Sequence, residues 1–156
     1  MHPTAFLEQL IEDTGIARQL LDLTDAEYQA LAERRLTDLE TLLSAKQPLL
    51  ALLAQHASRR SQALAELGLS NDRHGLEAFA RTSPQADDIL AGAAELEDAL
   101  EACRSANERN GRLIRINQAA VASTLEIFQR SSQAPDLYDR RGGSTKTSHQ
   151  RPLSQA

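Results

Sequence analysis

A stripe of residues spaced alternately by four and three runs unbroken through the second half of this 156-residue chain. Ile89, Ala93, Leu96, Leu100, Cys103, Asn107, Asn110, Ile114, Asn117, Val121, Thr124 and Phe128 all fall on it, which is the spacing of one helix face packed along other helices. The stripe starts apolar and turns to asparagine. Its span corresponds to a rod of roughly 60 Å, too long to be buried inside a chain of this size. Part of it is therefore expected to be displayed to a partner.

Composition supports helices and little else. Hydrophobic residues make up 41% of the chain but aromatic ones only 3%, with five Pro and seven Gly, so leucine and alanine are plentiful for helix interfaces and residues suited to sheets are few. The sequence predicts an all-α fold: an elongated antiparallel bundle of three long helices plus one short helix, with a flexible C-terminal tail. The helical domain is expected over residues 1–130 and the tail over 131–156. The single Cys103 has no partner for an internal disulfide, the N-terminus lacks a basic region followed by an apolar run, and the longest apolar run, Leu49 to Ala54, is too short to span a bilayer. These readings predict a cytoplasmic protein without direct membrane insertion.

Helix boundaries can be read from caps and breakers. The first helix should start near Pro3 or Thr4, carry Leu7, Leu10, Thr14, Ala17, Leu21, Thr24, Tyr28 and Leu31 on one face, and end around Arg34 and Arg35, where cations suit the negative pole. Thr37 and Glu40 have the spacing of a capping box and predict the start of a second helix. Its stripe is Leu39, Leu43, Lys46, Leu50, Leu53, Ala57, Arg60, Leu64 and Leu67. Pro48 should kink this helix without ending it, because the periodicity resumes at once. Gly68 followed by Ser70-Asn71-Asp72 predicts the stop and the next cap, and a short helix from about Asp72 to Arg81 should set Leu76 and Phe79 against the bundle. Ser83-Pro84 then opens the long helix. Folded back along the second helix, that helix has a surplus of about 16 residues, roughly 24 Å. The stretch from about Ile116 to Arg130 is thus expected to run past its neighbours, offering Val121, Leu125, Ile127 and Phe128 as an apolar face.

Charge and motif content narrow the function. Residues 129–156 hold five bases and two acids, a net of +3, so the chain total of −5 leaves −8 on residues 1–128. A folded part that repels phosphate argues against nucleic acid as a partner. No catalytic constellation converges: His2, His56, His74 and His149 lack the Glu-x-x-His spacing of di-iron bundles, no zinc spacing occurs, and Gly142-Gly143-Ser144-Thr145 is not a phosphate-binding loop. An enzyme, a metal site and a cofactor are all unexpected. The asparagines on the long stripe have two readings, register control by buried polar groups or recognition of a partner. Gly111 in a helix interior costs about 1 kcal/mol relative to Ala and leaves bare backbone beside them.

The segment Asn107-Glu108-Arg109-Asn110-Gly111-Arg112-Leu113-Ile114, then Asn117, then Pro135-Asp136-Leu137-Tyr138-Asp139 and Gly142, resembles the FlgN family of flagellar export chaperones. Ala45-Lys46-Gln47-Pro48-Leu49-Leu50 is similar to that family's Lys followed by leucines. The resemblance implies a chaperone for the hook-filament junction proteins FlgK and FlgL, holding their terminal helices before type III secretion, and delivery to the export gate component FlhA. It implies client contact in the C-terminal helical part, here Asn110, Leu113, Ile114, Asn117, Val121, Leu125 and Phe128. It further implies gate docking through Tyr138 with Leu137 and Asp139, although Arg140-Arg141 before Gly142 departs from the family's charge pattern. A helical coiled-coil adaptor without a secretion client is the alternative; it explains the stripe but not the tail tyrosine.

Overall fold

Four helices, α1 (Pro3–Ala32), α2 (Leu36–Glu66), α3 (Arg73–Ala80) and α4 (Ala86–Gln133), follow one another in a computed structural model that describes residues 1–133. Among the described residues there is no strand. The all-α expectation therefore holds.

Each turn has an identifiable local cause. At the start of α1 the His2 side chain accepts the Thr4 N–H at 3.3 Å and Pro3 fills the first turn, where an N–H would lack a partner. At its end Arg34 takes a left-handed conformation, φ 56°. This lets the Arg35 N–H reach the Ala30 carbonyl at 2.8 Å and the Arg34 N–H the Leu31 carbonyl at 3.4 Å, a Schellman closure built on arginine instead of glycine. The same closure ends α2, now with Gly68 (φ 70°) in the left-handed position and Leu69 donating to the Leu64 carbonyl at 2.9 Å. Asp72 then caps α3 by accepting the Gly75 N–H at 2.9 Å. Gly75 is required there, because a Cβ would run into the Ser70 carbonyl. Ser83 Oγ accepts the Gln85 N–H at 3.1 Å and leads into α4.

Two boundary expectations need correction. The capping box of Thr37 and Glu40 does not form: α2 already begins at Leu36, Arg35 is its N-cap, and no side chain bonds to the cap. Closure at Arg34 returns the chain so soon that Thr37 lies inside the helix, its carbonyl accepting the Thr41 hydroxyl at 3.2 Å. Arg34 and Arg35 belong to the turn, not to the last turn of α1; Arg35 pairs with Glu33 and Asp38. Helix α2 does run through Pro48 without a break, as expected.

Side-chain partners give the direction of each helix. α2 is antiparallel to α1, with His56 opposite Asp13 and Lys46 opposite Glu27. α4 is parallel to α1: Gly92 faces Leu7 and Leu10, Cys103 Sγ donates to the Ala17 carbonyl at 3.1 Å, and Asn110 reaches Thr24. One apolar cluster gathers Phe6, Leu10, Leu64, Phe79, Ile89 and Leu96. Within it the rings of Phe6 and Phe79 lie 4.7 Å apart. Short α3 thus closes this end of the bundle, each large side chain contributing about 1.5–3 kcal/mol of burial. A second cluster joins Ile16, Leu20 and Cys103 with Leu49, Leu52 and Leu53 packed against it.

α2 is rotated from the face its leucines suggest. Of the predicted stripe Lys46 and Leu64 are buried, but Leu43, Leu50 and Leu67 are exposed, and His56 and Ala63, which lay off it, are buried instead. The cause lies on α1, where Asp13 and Glu27 are buried carboxylates that must be met by cations or hydrogen-bond donors. His56 Nδ1 lies 2.6 Å from Asp13, Arg60 bonds the other Asp13 oxygen, and Lys46 Nζ lies 2.9 Å from Glu27. By compactness the chain divides into Met1–Arg115 and Ile116–Ala156.

Candidate functional site

Buried positions on α4 stop early. Ile89, Leu96, Cys103, Ala106 and Asn110 are buried; beyond Asn110 the side chains are half-buried or exposed, and from Gln118 to Arg130 every one is exposed. At 100° per residue, Ile114, Ile116, Ala120, Val121, Leu125, Ile127 and Phe128 occupy about half the circumference of this stretch, and Arg112, Arg115, Glu126 and Arg130 the other side. Ile116, Val121, Leu125, Ile127 and Phe128 are between 57% and 67% exposed. Apolar residues so placed are expected in a helix that packs against something, and here Ile116, Val121, Leu125 and Ile127 are largely exposed to solvent.

The residues expected to contact a client therefore separate. Val121, Leu125 and Phe128 lie together on the exposed apolar arc, with Ile114 on the same side. Leu113 and Asn117 are half-buried. Asn110 is placed differently: buried, it donates through Nδ2 to the Thr24 carbonyl at 2.8 Å and to Glu27 at 3.5 Å. Its amide is engaged inside the bundle, in keeping with the register-control reading. Ile116, also on the arc, is an addition that strict 3,4 counting passed over. Leu137, Tyr138 and Asp139 lie outside the described residues.

A polar layer lies within the Met1–Arg115 unit. Lys46 Nζ is 2.9 Å from Glu27 Oε2 and 3.4 Å from Asn107 Oδ1, so α1, α2 and α4 meet on one ammonium group. Glu27 Oε1 is buried with no hydrogen-bond partner among the described residues, at a cost of about 1–3 kcal/mol. Beside it Arg109 stacks over the Tyr28 ring at 4.3 Å and pairs with Asp25 at 2.8 Å. Burial pushes the Cys103 thiol up from its ordinary value, which disfavours the thiolate and makes it a packing residue. Among the described residues no group of three His, Cys, Asp or Glu side chains is placed to hold a metal ion, and no helix is long and apolar enough to cross a membrane.

Helix α4 thus makes polar contacts within its bundle and then turns an apolar arc to solvent, and the comparisons give the family. The model of the FlgN protein family matches residues 1–146. The chain belongs to the FlgN family. A crystal structure from Pseudomonas aeruginosa, titled as that of a flagella synthesis protein FlgN, is similar at 45% identity with a TM-score of 0.68, covering 81% of this chain and 97% of that one. No curated protein matches the chain. Family and neighbour together give this FlgN-family chain a flagellum-related role.

Proposed function

We propose that this FlgN-family chain is a cytoplasmic flagellar export chaperone, a binding protein and not an enzyme, that captures the hook-filament junction proteins FlgK and FlgL and hands them to the export gate component FlhA. The observation that carries the reading is the exposed apolar arc of α4 through Ile116, Val121, Leu125 and Ile127. An amphipathic client helix laid on such an arc is held by apolar anchors spaced a turn apart. Full burial of three such side chains is worth several kcal/mol in total, enough for usable affinity after the costs of association. Gate docking is assigned to Tyr138 with Leu137 and Asp139, a separate segment, so that a loaded chaperone can engage the gate.

The test is titration of purified FlgK and FlgL into the full-length chain. Val121→Ser with Leu125→Ser should weaken client binding by about 1.5–3 kcal/mol, roughly ten- to a hundredfold, and leave the melting temperature nearly unchanged because both residues are already solvent-exposed. Tyr138→Ala should keep client binding and lose FlhA binding. Wild-type chain that binds neither FlgK nor FlgL would favour a structural adaptor instead.

A further inference from the structure

Helix α4 carries a second stripe that the core does not use. Glu97, Glu101, Arg104, Glu108, Gly111 and Arg115 follow one another at steps of four and three. At 100° per residue they fall within about a quarter of the circumference, centred about a quarter turn from the buried Ile89, Leu96 and Cys103. Apart from half-buried Gly111 all six are exposed. A cavity of about 660 Å³ opens on the stripe, with Leu100, Arg104, Glu108, Gly111, Arg112 and Arg115 in its wall, and every residue that lines it belongs to α4. Gly111 leaves bare backbone there, where an added Cβ would meet only the Arg115 guanidinium, at 3.5 Å.

Charge along this stripe is sorted by end. Glu97 and Glu101 make its N-terminal end acidic, and Arg115 on the stripe with Arg112 beside it makes the C-terminal end basic. Between them Arg104 pairs with Glu101 at 2.7 Å and with Glu108 at 3.8 Å. Glu97, Arg112 and Arg115 have no ion pair among the described residues. Like charges three or four residues apart lower the stability of a lone helix, so each end is suited to opposite charge from outside. A face that runs from acid to base is complemented by the same face run antiparallel. Two α4 helices set antiparallel about a twofold axis at the level of Ala106 bring Glu97 level with Arg115, Glu101 with Gly111 next to Arg112, and Arg104 with Glu108, and the symmetry repeats every pair. A slide of one heptad sets Glu97 against Glu108 in one direction and Arg104 against Arg115 in the other, so charge selects a single register.

We infer that this face of α4, over residues 97–115, is an antiparallel twofold interface with a second copy of the chain. The inference does not depend on the chaperone reading. About 28 Å of helix is involved and its ion pairs are solvent-exposed, so the dimer is weak and reversible. Two chains of net charge −5 repel at long range. Moderate salt screens that repulsion more than it screens pairs in contact.

The experiment measures self-association of the full-length chain by sedimentation equilibrium at about 0.15 M salt, where the Debye length is about 8 Å. Wild type is compared with Arg112→Glu plus Arg115→Glu and with Glu97→Arg plus Glu101→Arg. Melting temperatures should stay close to wild type, since all four side chains are exposed. Wild type should dimerise, and each reversal alone should weaken dimerisation by about tenfold or more, because like charges then meet across the axis. An equimolar mixture of the two reversals should dimerise within about threefold of wild type, every pair being restored with its signs exchanged. A wild-type chain that stays monomeric at millimolar concentration would overturn the inference. So would a dimer that neither reversal weakens, which would place the contact on another face, or a mixture as weak as the separate reversals, which would exclude this register.

Discussion

Arg34 is the residue whose conformation is least suited to its side chain. Its φ of 56° closes α1, and a Cβ in the left-handed region costs about 1–2 kcal/mol that glycine avoids. Glycine in turn loses more entropy on folding, which returns part of that gain. Arg34→Gly should therefore raise stability by about 1 kcal/mol and the melting temperature by about 3 °C, read by thermal unfolding. The contrast with Gly68 shows why one turn was legible in the sequence and the other was not. Gly68 announces a left-handed cap by its identity, whereas at Arg34 the same closure is imposed by the two helices it joins. The nearby Thr37–Glu40 spacing then pointed to a cap that the early turn left no room for. Asp72 shows a cap that works: bonds from Ser70 and the Gly75 N–H hold its carboxyl below the ordinary value of 3.8. Its contribution is thus complete above the unfolded-state value and lost as pH falls through the lowered one.

At the scale of the element, α4 combines three kinds of surface along one periodic stripe. Ile89 and Leu96 serve the apolar core, Asn110 a polar layer, and Val121 and Leu125 the solvent-facing arc. The spacing predicted that these residues share a face. It could not show where burial ends, because that depends on the Met1–Arg115 bundle around them. On α2 the predicted stripe is half right for a related reason: Lys46, Arg60 and Leu64 turn inward, whereas Leu43, Leu50 and Leu67 do not. The stripe included Lys46 but not His56, which Asp13 draws inward, and a count of apolar positions carries no information about buried carboxylates on another helix. A signal was nonetheless present: Lys46 and His56 are the only ionisable residues from Thr41 to Ser58, and both are buried. Gly111 supplies a test at this scale. A Cβ there would meet only the Arg115 guanidinium, at 3.5 Å, so nothing in the packing requires glycine. Gly111→Ala should stabilise the chain by about 1 kcal/mol through helix propensity alone, measured by denaturant midpoint at constant slope.

Across the whole molecule, stability and display fall on different parts of the chain. Both apolar clusters, the Asp13–His56–Arg60 network and the Glu27–Lys46–Asn107 layer all lie within Met1–Arg115. From Gln118 to Arg130 the described side chains are exposed, so this stretch adds backbone hydrogen bonds along α4 but little buried area. A helix of that length is marginal alone in water and is held mainly by continuity with the turns before it. Ending the chain after Arg115 should therefore leave a cooperative unfolding transition within about 3 °C of the full-length value, the shift expected for under 1 kcal/mol in a domain of this size. Circular dichroism should lose only the helical signal of the residues removed. Binding of FlgK should fall sharply, because the arc through Val121 and Leu125 is gone. A loss of cooperative unfolding would instead mean that the end of α4 supports the bundle. Its exposed apolar arc would then be a stability element, and the division between a folded body and a displayed helix would fail.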